Sequence, residues 1–155
     1  MHASGFALGV DFGTSNTVAV ARTPDGRVRT LVVDGSPIVP SAVYAEPGTA
    51  LLVGRDAILS SRLEPARFEP NPKRRIDDGD ILLGDREVPV ADLVAALLQR
   101  IHEEWTRTVG PVRPELVLTH PAGWGAPRRE VLLTAAESAG FDQVRLMVEP
   151  MLYKG

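Results

Sequence analysis

The stretch Gly9-Val10-Asp11-Phe12-Gly13-Thr14-Ser15-Asn16-Thr17 sets an acid, a glycine and a run of small polar residues between two apolar segments. Phe6, Ala7, Leu8 and Val10 suit one buried strand, and Val18, Ala19 and Val20 suit a second. The stretch therefore reads as strand, tight turn, strand. Gly13 permits backbone geometry that a Cβ forbids and lets another group come close. Thr14, Ser15 and Thr17 offer hydroxyls, and backbone N–H groups in such a turn can converge on an anion. Asp11, at the strand end, has the chemistry to hold a hydrated Mg²⁺ against a phosphate. Asp and Gly are also common turn residues, so the pattern alone suits a plain hairpin as well.

Three antiparallel strands open the chain, at about 6–12, 17–22 and 28–33, with Pro24-Asp25-Gly26 as the second turn. Residues 37–88 are different. Prolines punctuate them and the apolar runs are short, with small strands expected at 42–44, 51–53, 81–83 and 86–88 and one short helix at 55–62. Apolar residues persist throughout, so this region reads as an inserted subdomain rather than a disordered linker. A long helix follows at 90–108, with Val90, Leu93, Val94, Leu97, Leu98, Ile101 and Trp105 on one face. Pro89 suits its start, and Gly110-Pro111 its end. A fourth strand at 115–119, a helix at 127–139 with Val131, Ala135 and Ala139 on one stripe, and a fifth strand at 144–148 complete the order. Helical crossovers imply that the last strands pair in parallel. The expected fold is α/β: a ribonuclease-H-like lobe built on a five-stranded mixed sheet flanked by helices, formed by residues 1–36 and 89–155, with 37–88 inserted.

Composition excludes some classes. With 155 residues the chain can bury about 70% of its unfolded surface, enough for a core without staples. The net charge of −3 gives no electrostatic reason to expect nucleic acid or an anionic membrane as partner. There is no cysteine, hence no disulfide and no thiolate nucleophile or metal ligand. No basic, apolar leader precedes the first turn and no apolar run reaches the roughly 20 residues of a membrane span, so the cytoplasm is the expected compartment. His102 and His120 stand alone on their elements, which suits packing or surface roles, and Trp105 suits the core.

The opening stretch resembles the first phosphate loop of the actin/Hsp70/sugar-kinase ATPase superfamily, in the form found in the Hsp70 chaperones. It lacks the longer Gly-rich loop ending in Lys-Ser/Thr of a Walker site. Further segments follow in the family's order. Val39-Pro40-Ser41-Ala42-Val43 resembles the start of the family's insertion, and Gly54-Arg55-Asp56-Ala57 its Gly-x-x-Ala. Asn71-Pro72-Lys73-Arg74-Arg75-Ile76 resembles its Lys-Arg segment. Leu118-Thr119-His120-Pro121-Ala122, with Arg128-Arg129 downstream, resembles its Thr-Val-Pro-Ala region, and Val148-Glu149-Pro150 its Glu-Pro. Gly123-Trp124-Gly125 and His120 depart from the family pattern.

The resemblance implies ATP or ADP with Mg²⁺ as ligands. Asp11 would hold the metal's waters, and Gly13, Thr14 and Ser15 would line the phosphates. Lys73 would face the γ-phosphate and Glu149 the attacking water. Pro121 and Arg129 would belong to a switch towards a neighbouring domain. From the residues alone, Lys73 sits in a Lys-Arg-Arg cluster that also suits a solvated surface, and Arg129 falls where the helix dipole disfavours a cation. The second lobe's Asp-x-Gly-Gly-Gly loop and adenosine pocket do not occur in these residues. The expectation is thus one lobe of a longer protein, weak in nucleotide binding and inactive by itself, with co-chaperones and client peptides as partners of the whole. Met151-Leu152-Tyr153-Lys154-Gly155 resembles the start of the family's next helix. The alternatives are a lobe of a sugar kinase or an actin-like filament protein, a non-enzymatic module that self-associates through an uncovered face, and a two-metal nuclease on the same fold.

Overall fold

The computed structural model describes residues 2–149; Pro150 and the segment 151–155 lie outside the described residues. The strand–turn–strand is present as β1 (His2–Phe12) and β2 (Asn16–Arg22), with six paired positions from Ala7↔Arg22 to Phe12↔Thr17. β3 (Val28–Thr30) continues the antiparallel meander. It is shorter than the apolar run 28–33 suggests. Val33 and Ser36 instead bridge across a tight turn at Asp34 and Gly35, both at positive φ, while Leu31 and Val33 bury their side chains.

Residues 37–88 fold around short pairings. β4 (Val39–Pro40) pairs with β2. β5 (Val43–Ala45) lies between β6 (Leu51–Val53) and β7 (Phe68–Glu69). α1 (Gly54–Ser60) follows β6 directly. Two 3₁₀ turns, Pro65–Arg67 and Pro72–Arg75, flank β7, and β8 (Asp80–Leu83) and β9 (Arg86–Pro89) form a hairpin.

α2 (Val90–Thr108) then crosses to β10 (Arg113–His120), and α3 (Ala126–Ser138) crosses to β11 (Val144–Val148). The main sheet runs β11-β10-β1-β2-β3, with β1–β10 and β10–β11 parallel and the rest antiparallel. It is the mixed, helix-flanked α/β sheet that the strand order implies, extended by β4 as a short sixth strand. Leu8, Val10, Phe12, Ala19, Ala21, Leu116 and Leu118 turn one face of the sheet into the core shared with α2 and α3. All seven apolar positions of the α2 face are buried. Trp105 is fully buried, edge-on to Phe6, and donates its indole N–H to the Val112 carbonyl at 2.8 Å. In α3 the buried stripe is Leu132, Ala135 and Ala136, continuing to Ala139, so it is shifted and wider than the expected Val131–Ala135–Ala139 line. A helix laid on a sheet buries neighbours at both i+3 and i+4, not a single row.

His102 on α2 packs edge-on against Phe141, with ring centroids 5.0 Å apart. Burial, reinforced by the nearby Arg113 cation, pushes its pKa below the usual imidazole range. The unfolded chain therefore binds more protons below pH 6.5, and stability falls as pH drops through that value. Urea midpoints should fall between pH 7.5 and 5.5, and His102→Gln should flatten that dependence; an unchanged slope in the variant would assign it to other groups.

Candidate functional site

Parallel pairing brings the carboxyl ends of β1, β10 and β11 to one edge of the sheet, the place where open α/β sheets receive ligands. Val10 is level with Leu118, and His120 with Val148. Asp11 therefore emerges beside Thr119, whose hydroxyl donates to the Asp11 carboxylate at 2.9 Å. Glu149 emerges one residue past β11, fixed by its backbone N–H on the His120 carbonyl at 2.8 Å. The His120 ring is buried, with Nδ1 2.8 Å from the Pro121 carbonyl, so it packs this strand end.

The turn between β1 and β2 closes with the Gly13 N–H on the Asn16 carbonyl at 3.0 Å. A Cβ on Gly13 would stand 2.2 Å from that carbonyl oxygen. Close approach, not a left-handed φ, is what demands glycine here. Two elements of the 37–88 region tie the turn down. Ser41 donates its hydroxyl to the Gly13 carbonyl at 2.9 Å and its N–H to the Ser15 carbonyl, and its oxygen lies 2.8 Å from the buried Thr17 hydroxyl. The Asn71 side-chain amide, oriented to satisfy both its ends, donates to the Thr14 carbonyl at 2.9 Å. Among the described residues the N–H groups of Thr14 and Ser15 have no protein acceptor. They and the adjacent hydroxyls remain available to an anion.

Lys73 enters from the 3₁₀ turn after β7. Its ammonium donates to the Phe12 carbonyl at 2.9 Å and to Glu149 Oε2 at 2.6 Å. The two side chains are only 11% and 17% exposed, so this is a mostly desolvated ion pair. An ammonium has three donors. The third finds no acceptor among the described residues. The cation thus sits next to the Asp11–Gly13 backbone with one proton to offer. Two nearby cations are committed elsewhere: Arg75 pairs with Glu69 and Asp78, and Arg128 with Asp77. Arg129 is exposed on the first turn of α3, whereas Lys73 and Arg128 each lie over the Trp124 ring.

The structure thus brings Asp11, Gly13, Lys73 and Glu149 to one edge, with Thr14 and Ser15 on its rim. Pro121 follows β10 directly, its carbonyl accepting from the Trp124 N–H at 3.1 Å. Among the described residues no three acidic or histidine side chains gather round one point. A divalent ion at Asp11 would keep most of its waters, which is how Mg²⁺ is ordinarily held. A groove of about 490 Å³ between β6 and α2, lined by Asp56, Asp92, Arg100 and Glu103, shares no residue with this edge. Sequence reasoning missed Thr119, Ser41, Asn71, Asp77, Arg128 and Trp124 as parts of the site. Only their place inside the quoted segments could have flagged Thr119, Ser41, Asn71 and Arg128.

Comparison with known proteins covers nearly the whole chain. The chaperone protein DnaK of Thermotoga neapolitana is 29% identical over 147 residues, covering 94% of this chain and 25% of its own. That of Halobacterium salinarum is 33% identical over 146 residues, covering 92% of this chain and 23% of its own. The chain is a homologue of the Hsp70-type (DnaK) chaperones. The DnaK of Thermosipho melanesiensis, at 27% identity over 147 residues, covers the same span. This Hsp70-like chain spans about a quarter of the length of the relatives it matches. No family model matches it. No helix among the described residues is long and apolar enough to cross a membrane.

Proposed function

We propose that this chain is one lobe of an Hsp70-type chaperone ATPase and supplies half of an ATP·Mg²⁺ site. In this reading residues 1–36 and 89–155 form the lobe proper and 37–88 an inserted subdomain. The observation that carries the proposal is the Lys73 ammonium, held by the Phe12 carbonyl and Glu149 with a donor left over, against a turn whose Thr14 and Ser15 N–H groups are unpaired among the described residues. That donor set fits the β- and γ-phosphates. ATP and Mg²⁺ would supply the transferable phosphoryl group and a charge to neutralise it.

The chain's own residues then divide the work. Gly13, Thr14 and Ser15 cradle phosphate oxygens. Asp11 accepts hydrogen bonds from the metal's waters, with Thr119 fixing its rotamer. Lys73 opposes the charge that grows on the transferring group. Glu149 orients the attacking water and takes its proton, after exchanging part of its bond with Lys73 for one to water. Pro121 and Arg129 pass the state of the site to a neighbouring domain. A second lobe supplies the other phosphate loop and the adenosine contacts. In the whole protein, working in the cytoplasm, co-chaperones and client peptides are the partners.

Titration of this chain with ATP·Mg²⁺ tests the reading. A half-site should bind at about 1 mM, or roughly −4 kcal/mol. The amide signals of residues 11–17 should move, and those of the β8–β9 hairpin should not. Micromolar affinity overturns the shared site, and no movement in residues 11–17 overturns the phosphate cradle.

A further inference from the structure

Trp124 stands in the loop between β10 and α3, between two glycines at which a side chain would meet open space or only ordinary contact. The loop is therefore not shaped around tight backbone packing. What surrounds the half-buried indole is charge: the Lys73 ammonium lies over the ring at 5.9 Å from its centroid, and the Arg128 guanidinium carbon is also at 5.9 Å. Arg128, on the first turn of α3, makes a two-point bridge to Asp77, Nε to Oδ1 at 2.9 Å and Nη2 to Oδ2 at 2.6 Å. The Arg128 hydrogen bond holds the Asp77 carboxyl below its ordinary pKa. Asp77 follows directly on the short segment that carries Lys73. The bidentate fork is the geometry that fixes orientation as well as distance. One clamp therefore fastens the start of α3 to the Lys73 segment, and the tryptophan between them covers the ammonium.

We propose that Trp124 is a positioning residue for Lys73, seated by the Arg128–Asp77 clamp. Its functional meaning rests on the reading of Lys73 as the phosphate-facing cation. A lysine head on four rotatable bonds can leave a cleft as easily as enter it. Two of its donors are held by Phe12 and Glu149. The aromatic face supplies a third restraint that attracts a cation without consuming a donor, so the remaining N–H stays free for an anionic oxygen. An acidic residue in place of the ring would hold the ammonium too, but it would also spend that donor and repel phosphate. The arrangement also makes the site sensitive to the insertion: movement of the segment 73–77 shifts ion, ring and clamp together.

Nitrogen-15 spectroscopy of the lysine ammonium groups, with no nucleotide present, tests this on the chain itself. In the native chain Lys73 should show slow proton exchange. Trp124→Leu fills the space without an aromatic face and should speed that exchange about threefold to tenfold. Trp124→Phe should restore most of the protection, and Arg128→Gln and Asp77→Asn should each give a smaller change in the same direction. The phenylalanine and clamp variants decide the matter should the leucine variant not fold. Unaltered exchange in Trp124→Leu, or a native Lys73 already in fast exchange, overturns the proposal. Because no ATP is used, failure of ATP to bind removes the phosphate reading and leaves this result standing; unchanged exchange does the reverse.

Discussion

Lys73→Met should cut ATP hydrolysis by about a hundredfold to a thousandfold in a chaperone carrying this lobe with its second one, the loss expected when a preorganised cation at the transferring group is removed. The geometry makes the expectation specific. The ammonium is held on the Phe12 carbonyl and on Glu149, and both partners belong to the edge where Asp11 emerges. Its charge is therefore fixed before substrate arrives and costs little to orient. Lys73→Arg should not rescue the rate. A planar fork cannot reproduce a compact ammonium in a slot that leaves the native side chain 11% exposed. Glu149→Gln should lower the rate by about 10²-fold or more through loss of the base. Its effect should fall on kcat with little change in KM, because the amide can still accept from Lys73. Single-turnover hydrolysis separates these cases, and a Lys73→Met rate within about threefold of the native one would sink the assignment. Removing one partner also strands a partly desolvated charge. The double variant Lys73→Met/Glu149→Gln should accordingly be more stable than Lys73→Met alone.

How far the sequence discloses this site depends on the range of the forces involved. β1, β2 and α2 are legible because apolar periodicity marks them locally, and α2 has the bounds that its Pro and Gly flanks announce. β4 and β7 have two residues each, too few to show a period. They exist because Asn16 pairs with Pro40 and Val43 with Glu69, partners far off in the chain. The same holds within the site. Asp11 could be named from its place at a strand end before Gly13, and Lys73 and Glu149 because a resemblance carried them. The Phe12 carbonyl that anchors Lys73 belongs to the backbone, so no residue type betrays it. Arg128 and Arg129 are adjacent and chemically identical in sequence. Only the fold, by bringing Asp77 within reach across 51 residues, separates the clamped arginine from the exposed one.

Gly13→Ala should disturb the site more than a single methyl group suggests. Its Cβ would stand 2.2 Å from the Asn16 carbonyl oxygen, and that oxygen is backbone, with no rotamer to escape into. Relief requires opening the Gly13–Asn16 hydrogen bond that closes the turn. The neighbouring carbonyls then shift with it: Gly13 O, which accepts from Ser41, and Phe12 O, which accepts from Lys73. Overpacking of this kind costs about 1–3 kcal/mol. In a chain of this size that lowers the melting temperature by roughly 2–12 °C. The amide signals of Thr14 and Ser15 should move, and the movement of residues 11–17 on adding ATP·Mg²⁺ should disappear. Gly9, on the strand that leads into this turn, is the internal control. A Cβ there would meet only the Val20 carbonyl at 3.9 Å, an ordinary contact. Gly9→Ala should therefore stay within about 0.5 kcal/mol of the native chain and keep the response to nucleotide. The contrast isolates geometry from composition, since both changes add one methyl group to β1 or its turn. Equal effects at the two positions would mean that the turn yields easily, and a turn that yields easily could not hold phosphate donors in register.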